Sequence, residues 1–110
     1  MVRRTKVLGF YSMPGMATAS EGFDALAAGA DALKLFPGDL LCPPVIKAWR
    51  SVFPSVTPMF IVGGINRENL PAFKAAGASG VGIGSALYKP GMPAVEAGRR
   101  AREFVARWQI

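Results

Sequence analysis

The sequence contains no histidine. Any general acid or base it holds must therefore be a carboxylate, lysine, tyrosine, cysteine, bound water or a group on the substrate. It has one cysteine, Cys42, which excludes an internal disulfide and a zinc site of Cys/His ligands and fits a reducing, cytoplasmic compartment. Acidic residues are scarce, 7 against 13 Lys and Arg, leaving a net charge of +6. Such a balance points to anionic partners, whether nucleic acid, a membrane surface or a phosphorylated metabolite. The basic residues are scattered, however, and neither an RNA-recognition motif nor a finger spacing is present. No apolar run has the length of a membrane-spanning helix. The amino-terminal segment imitates a signal peptide only weakly, because Gly9, Ser12, Pro14 and Gly15 interrupt it. Nucleic acid and membrane are accordingly not expected as partners, and a phosphorylated small molecule is.

What is present is a chain of 110 residues, 51% hydrophobic, enough for one domain with a real core. It is far short of the roughly 250 residues of a complete eight-fold α/β barrel. Short apolar runs, at 8–13, 32–36, 59–62 and 80–84, alternate with helical patterns. They end at Pro14-Gly15, Pro37-Gly38, Gly63-Gly64 and Gly84-Ser85. Thr18 and Glu21 form a capping box, opening a helix expected to turn Phe23, Leu26 and Ala27 inward. Pro43 or Pro44 starts the next helix. Asn66 caps a third that reaches Ala76, with Pro71 leaving its first residue open. In the last helix Ala94, Ala97, Gly98, Ala101, Phe104, Val105 and Trp108 make one apolar stripe. Glu96–Arg100 and Glu103–Arg107 are expected as ion pairs at i,i+4, so the terminal arginines read as a solvated helix face. Ala-Ala-Gly-Ala occurs before both the second and the fourth run, at 27–30 and 75–78, with Gly as a left-handed helix stop. The order βαβαβαβα predicts an α/β fold with a parallel sheet and right-handed crossovers, and no linker or second domain is visible.

Sites in parallel α/β sheets gather at the carboxyl ends of the strands. Lys34 stands in the otherwise apolar ALKLF, and alternation puts it on one face with Ala32 and Phe36, opposite Leu33 and Leu35. Burial there would lower its pKa from about 10.4 towards roughly 7–8, giving an amine able to form a Schiff base with a ketone. The plainer alternative is a lysine that snorkels to solvent at a strand end. Gly63-Gly64 and Gly84-Ser85 end successive strands, where backbone N–H groups and a short helix starting at Ser85 can hold a phosphate. The alternative is that these glycines only turn the chain. Glu21 reads as the capping carboxylate. Asp39 is a weaker candidate base, and Cys42 a loop thiol with no histidine to activate it.

The segments YSMPGMATASEGFDALAAGADALKLFP, PMFIVGGI and GVGIGSALYKPG resemble the 2-keto-3-deoxy-6-phosphogluconate and 6-phosphogalactonate aldolases over nearly the whole chain. The resemblance implies a class I aldolase with an eight-fold α/β (TIM) barrel. Such an enzyme cleaves a 2-keto-3-deoxy-6-phosphosugar acid to pyruvate and glyceraldehyde 3-phosphate. The imine serves as electron sink, so neither metal nor cofactor is implied. On this likeness Lys34 is the Schiff-base lysine of strand six, and Phe36 walls the pyruvate part. Gly63, Gly64, Gly84 and Ser85 hold the phosphate after strands seven and eight. Val62 resembles the phosphogalactonate branch, where the phosphogluconate branch carries threonine.

The likeness covers only strands five to eight, so the whole chain, 1–110, reads as one (βα)4 module, the carboxyl-terminal half of such a barrel. The family's strand-two glutamate and nearby arginine have no counterpart here. A half barrel leaves two sheet edges unpaired and one sheet face uncovered. The expectation is therefore a homo-oligomer, pairing with a missing amino-terminal half, or marginal stability. The competing reading is a truncated, non-catalytic module that binds phosphate esters.

Overall fold

The computed structural model describes residues 1–109. Its elements are α1 (Val2–Val7), β1 (Gly15–Met16), α2 (Ala19–Ala27), β2 (Leu33–Leu35), α3 (Pro43–Val52), β3 (Met59–Val62), α4 (Leu70–Ala75), β4 (Gly80–Gly82) and α5 (Ala94–Gln109). The four strands form one sheet in sequence order, every neighbouring pair parallel. Right-handed crossovers between adjacent strands put the connecting helices on the same face. That face is the core: Leu33, Leu35, Met59 and Ile61 have no exposure, beneath Ile46, Leu70, Phe73 and Phe104. The α/β class and the parallel sheet are as the alternation of runs predicts.

Local signals account for many element ends. The Thr18 hydroxyl accepts the Glu21 N–H at 3.2 Å and donates to the Glu21 carboxylate at 2.9 Å, while that carboxylate accepts the Ala17 N–H at 3.3 Å. Gly29 and Gly77 stand at φ 98° and 107°. After each, the next residue's N–H reaches back to close the helix, from Ala30 to the Ala25 carbonyl and from Ala78 to the Phe73 carbonyl. Pro43 opens α3. The Asn66 side chain caps the N–H groups of Glu68 and Asn69 at 3.0 and 2.8 Å, but residues 67–69 form a turn and α4 proper starts at Leu70.

Tertiary contacts overrule the sequence pattern in three places. The run 8–13 is not the first strand; the ladder forms at Gly15–Met16, so the sheet edge is there and not at Tyr11. The Asp31 carboxylate draws in the Ser12 N–H at 2.7 Å and the Lys6 ammonium at 2.7 and 2.9 Å, tying the run to the turn before β2. Ala32 is fully buried rather than on the open face, its N–H bonded to the Ser12 carbonyl at 3.3 Å. Helix α2 buries Gly22, not Phe23 or Ala27, because a Cβ at Gly22 would meet Phe53 Cζ at 2.5 Å and Met16 Sδ at 2.8 Å. Phe23 instead tilts against Phe53 at the rim, ring centroids 4.7 Å apart.

Helix α5 buries Phe104 but exposes Ala94 and Val105. Glu96 pairs with Arg100 as expected, at 3.0 Å, and with Arg99. Glu103 pairs with Arg67 and Arg99 instead of Arg107, because the turn before α4 brings Arg67 alongside. Hydrogen bonds from Arg99 and Arg100 pull the Glu96 carboxyl down to about 2 from an ordinary 4.5. The Lys6 ammonium and the Ser12 N–H lower Asp31 in the same direction. A carboxyl lowered on folding stabilises the fold above its unfolded value, and that contribution fades as pH falls through the folded one. Acid should thus erode stability between about pH 4.5 and 2, and Glu96→Gln should flatten the loss. Urea midpoints compared across this range would show it; identical pH slopes for the two proteins would mean that Glu96 is not ion-paired in solution.

Candidate active site

Alternation on β2 and β3 decides what the uncovered face carries. With Leu33, Leu35, Met59 and Ile61 turned to the helices, Lys34, Phe60 and Val62 face the other way. Register aligns Gly15, Lys34, Phe60 and Gly80 in one row, and Val62 with Gly82 in the next. On the edge strand β4 the glycines leave room for their neighbours. A Cβ at Gly80 would meet the Phe60 ring at 2.8 Å, and one at Gly82 would meet Val62 Cγ2 at 2.8 Å. Lys34 is half-buried, so the described residues do not supply the full desolvation expected from its apolar strand. Its ammonium lies 5.4 Å from the centroid of the Phe36 ring, a cation–π distance. Phe36 itself, one residue past the strand, is half exposed.

The loops after β2 and β3 are locked together. Gly63 and Gly64 take φ 101° and 69°, a region L side chains rarely adopt. The Gly38 N–H donates to the Val62 carbonyl at 2.8 Å. A Cβ at Gly38 would overlap the Gly63 carbonyl oxygen, and one at Gly63 would meet the Phe36 ring at 3.1 Å. The Asn69 side chain donates to the Gly64 carbonyl at 2.8 Å. After β4, Gly84 is exposed with open space around it. Its carbonyl accepts the N–H groups of Leu87 and Tyr88 at 2.9 and 3.1 Å. This makes a single turn at residues 85–87 rather than a short helix, with the N–H groups of Ser85 and Ala86 at its open start.

The structure thus gathers Lys34, Phe36, Val62, Gly63 and Gly64 at the carboxyl ends of two adjacent strands. Gly84 and Ser85 stand at the carboxyl end of the next. Glu21 is engaged in its capping box, away from this cluster by role. Cys42 is the exposed N-cap residue of α3. Among the described residues no group of three His, Cys, Asp or Glu is placed to hold a metal. Sequence reasoning missed the seating of Gly38 and Asp39 against the double glycine. Gly38 looked like an ordinary turn residue, and only the backbone approach across two loops explains it.

Sequential parallel βα units with a lysine on the open sheet face and glycine turns at the strand ends define a parallel α/β protein. A family model for KDPG and KHG aldolase matches residues 1–99. The chain belongs to that family. It is 42% identical over 109 residues to the 2-dehydro-3-deoxy-6-phosphogalactonate aldolase of Escherichia coli (strain K12), covering 99% of this chain and 53% of that protein. A solved "Native KDPGal structure" superposes with a TM-score of 0.93 at 42% identity, covering 98% of this chain and 52% of that one. A 4-hydroxy-2-oxoglutarate aldolase/2-deydro-3-deoxyphosphogluconate aldolase gives 0.85 at 29% identity, with 97% and 52% covered. The chain therefore spans about half the length of these relatives.

The interlock predicts different costs for two glycines that follow strands. Gly38→Ala should destabilise by about 1–3 kcal/mol, because the new methyl group must push the two loops apart. Gly84→Ala, in open space, should be close to neutral. Equal urea midpoints for the two variants would show that the loops are not in contact.

Proposed function

We propose that this chain is the lysine-bearing half-barrel module of a class I aldolase acting on a 2-keto-3-deoxy-6-phosphosugar acid. The observation that carries the reading is Lys34 on the open sheet face, beside Phe36 and one strand from the Gly63-Gly64 turn. The Lys34 amine adds to the C2 ketone and water leaves, giving an iminium. Cleavage of the C3–C4 bond sends its electron pair into the iminium, releasing glyceraldehyde 3-phosphate as the C4 hydroxyl loses its proton. The remaining enamine takes a proton at C3 and is hydrolysed to pyruvate, restoring the amine. Phe36 walls the pyruvate part, and the Gly63-Gly64 and Gly84-Ser85 turns hold the phosphate. Val62 places an apolar group where the substrate passes, which favours the galactonate epimer.

The proton transfers need a base beside Lys34. Lys34 forms no ion pair among the described residues. This favours a second reading, a module that binds phosphate esters without turning them over. In either case the open face and the free edges of β1 and β4 require a cover, supplied by a second copy of the chain or by a complementary half barrel. Relatives twice this length support that requirement.

Two experiments bear on this. Borohydride trapping with pyruvate should add a reduced pyruvyl group to Lys34, located by peptide mass spectrometry, and Lys34→Arg should abolish it. A folded protein that yields no adduct would favour the binding reading. Sedimentation velocity should show concentration-dependent association. A chain that stays monomeric and unfolds in one sharp transition would contradict the need for a cover.

A further inference from the structure

The glycine turn proposed to take a phosphate already has an anion beside it. The Asp39 carboxyl group lies against Gly64: a Cβ built there would overlap the group and meet its second oxygen at 2.7 Å. Asp39 is exposed, and its side chain makes no hydrogen bond or ion pair among the described residues. The backbone on either side of it is anchored. The Gly38 N–H bonds to Val62, the N–H groups of Leu40 and Leu41 both bond to the Pro37 carbonyl at 3.1 and 3.0 Å, and Leu41 is buried in the core. The backbone that carries Asp39 is thus tied to the turn through Gly38 and to the core through Leu41, and its exposed carboxyl group lies beside Gly64. The other turn, Gly84-Ser85, has open space around Gly84 and no such neighbour.

We propose that Asp39 is a charge-selecting residue of this site. It opposes a phosphate dianion at Gly63-Gly64, shifts the seat of the phosphate towards the Gly84-Ser85 turn, and leaves the Gly64 corner to accept hydrogen bonds from the hydroxyl groups of the ligand. The inference rests on the reading that the site takes a phosphorylated polyhydroxy acid. A carboxylate suits hydroxyl donors because it only accepts, and it penalises an anion at close range.

The test is titration of the full chain with inorganic phosphate, followed by NMR shifts of the Gly63, Gly64, Gly84 and Ser85 amides. Wild type is compared with Asp39→Asn and Asp39→Ser. Both variants should bind phosphate more tightly, on the order of tenfold at low salt, with the added shifts at Gly63 and Gly64. The gain should be larger above the second ionisation of phosphate than below it, because the repelled charge is doubled. An equal gain on both sides of that ionisation would assign the effect to loop relaxation and overturn the proposal. Unchanged or weaker binding in both variants, with wild type binding at these turns, would overturn the proposal alone. Absence of phosphate-dependent shifts at all four amides in every protein would overturn the proposal and the phosphate reading together.

Discussion

Two strands, β2 and β3, set the position of nearly everything else, because their alternating side chains have unequal destinations. Leu33, Leu35, Met59 and Ile61 are wholly buried under the helices. Each such side chain contributes about 1.5–3 kcal/mol relative to exposure. A one-residue slip of either strand would turn them outward; on β2 it would also drive the Lys34 ammonium into the apolar core. The register is therefore strongly determined, and with it the row Gly15, Lys34, Phe60, Gly80 on the opposite face. Lys34 faces outward as a consequence of the core's demand for its two leucine neighbours.

Close backbone approach is the second organising element, and glycine marks each instance. Helix α2 rests on the sheet through Gly22, the β2 loop meets the β3 turn through Gly38 and Gly63, and β4 lies beneath Phe60 and Val62 because Gly80 and Gly82 carry no side chain. The lysine strand and the glycine turn are therefore one mechanical unit. A ligand that spans from Lys34 to Gly64 contacts parts whose spacing is fixed by backbone atoms rather than by flexible side chains.

What could be read in the sequence follows this division. The capping box at Thr18 and Glu21, the paired glycine stops at Gly29 and Gly77, the outward placement of Lys34 and the parallel order depend on local chemistry or strict periodicity, and all are present in the fold. The misreadings share another cause. The first strand was displaced by Asp31, nineteen positions beyond the Ser12 amide it captures. Glu103 was drawn from its helical neighbour by Arg67, thirty-six residues away. Phe23 looked like the core residue of α2, because hydrophobicity scales reward a phenyl ring and cannot reward the empty space at Gly22. Contacts between segments distant in sequence leave no periodic trace in either one.

The same core that fixes Lys34 leaves its face uncovered, and this couples stability to chemistry. An occupant of that face would bury Phe60 and Val62, pair the free edges of β1 and β4, and remove water from Lys34 in one step. Water removal is also what makes a lysine amine a nucleophile near neutral pH. A cover selected only to complete the sheet would thus prepare the amine as a by-product, whereas a single cationic group near Lys34 would prepare it without stabilising the sheet. A carboxylate on the cover would act differently: paired with Lys34 it would hold the ammonium charged, and its use would be to stand within reach of the protons that aldol cleavage must move.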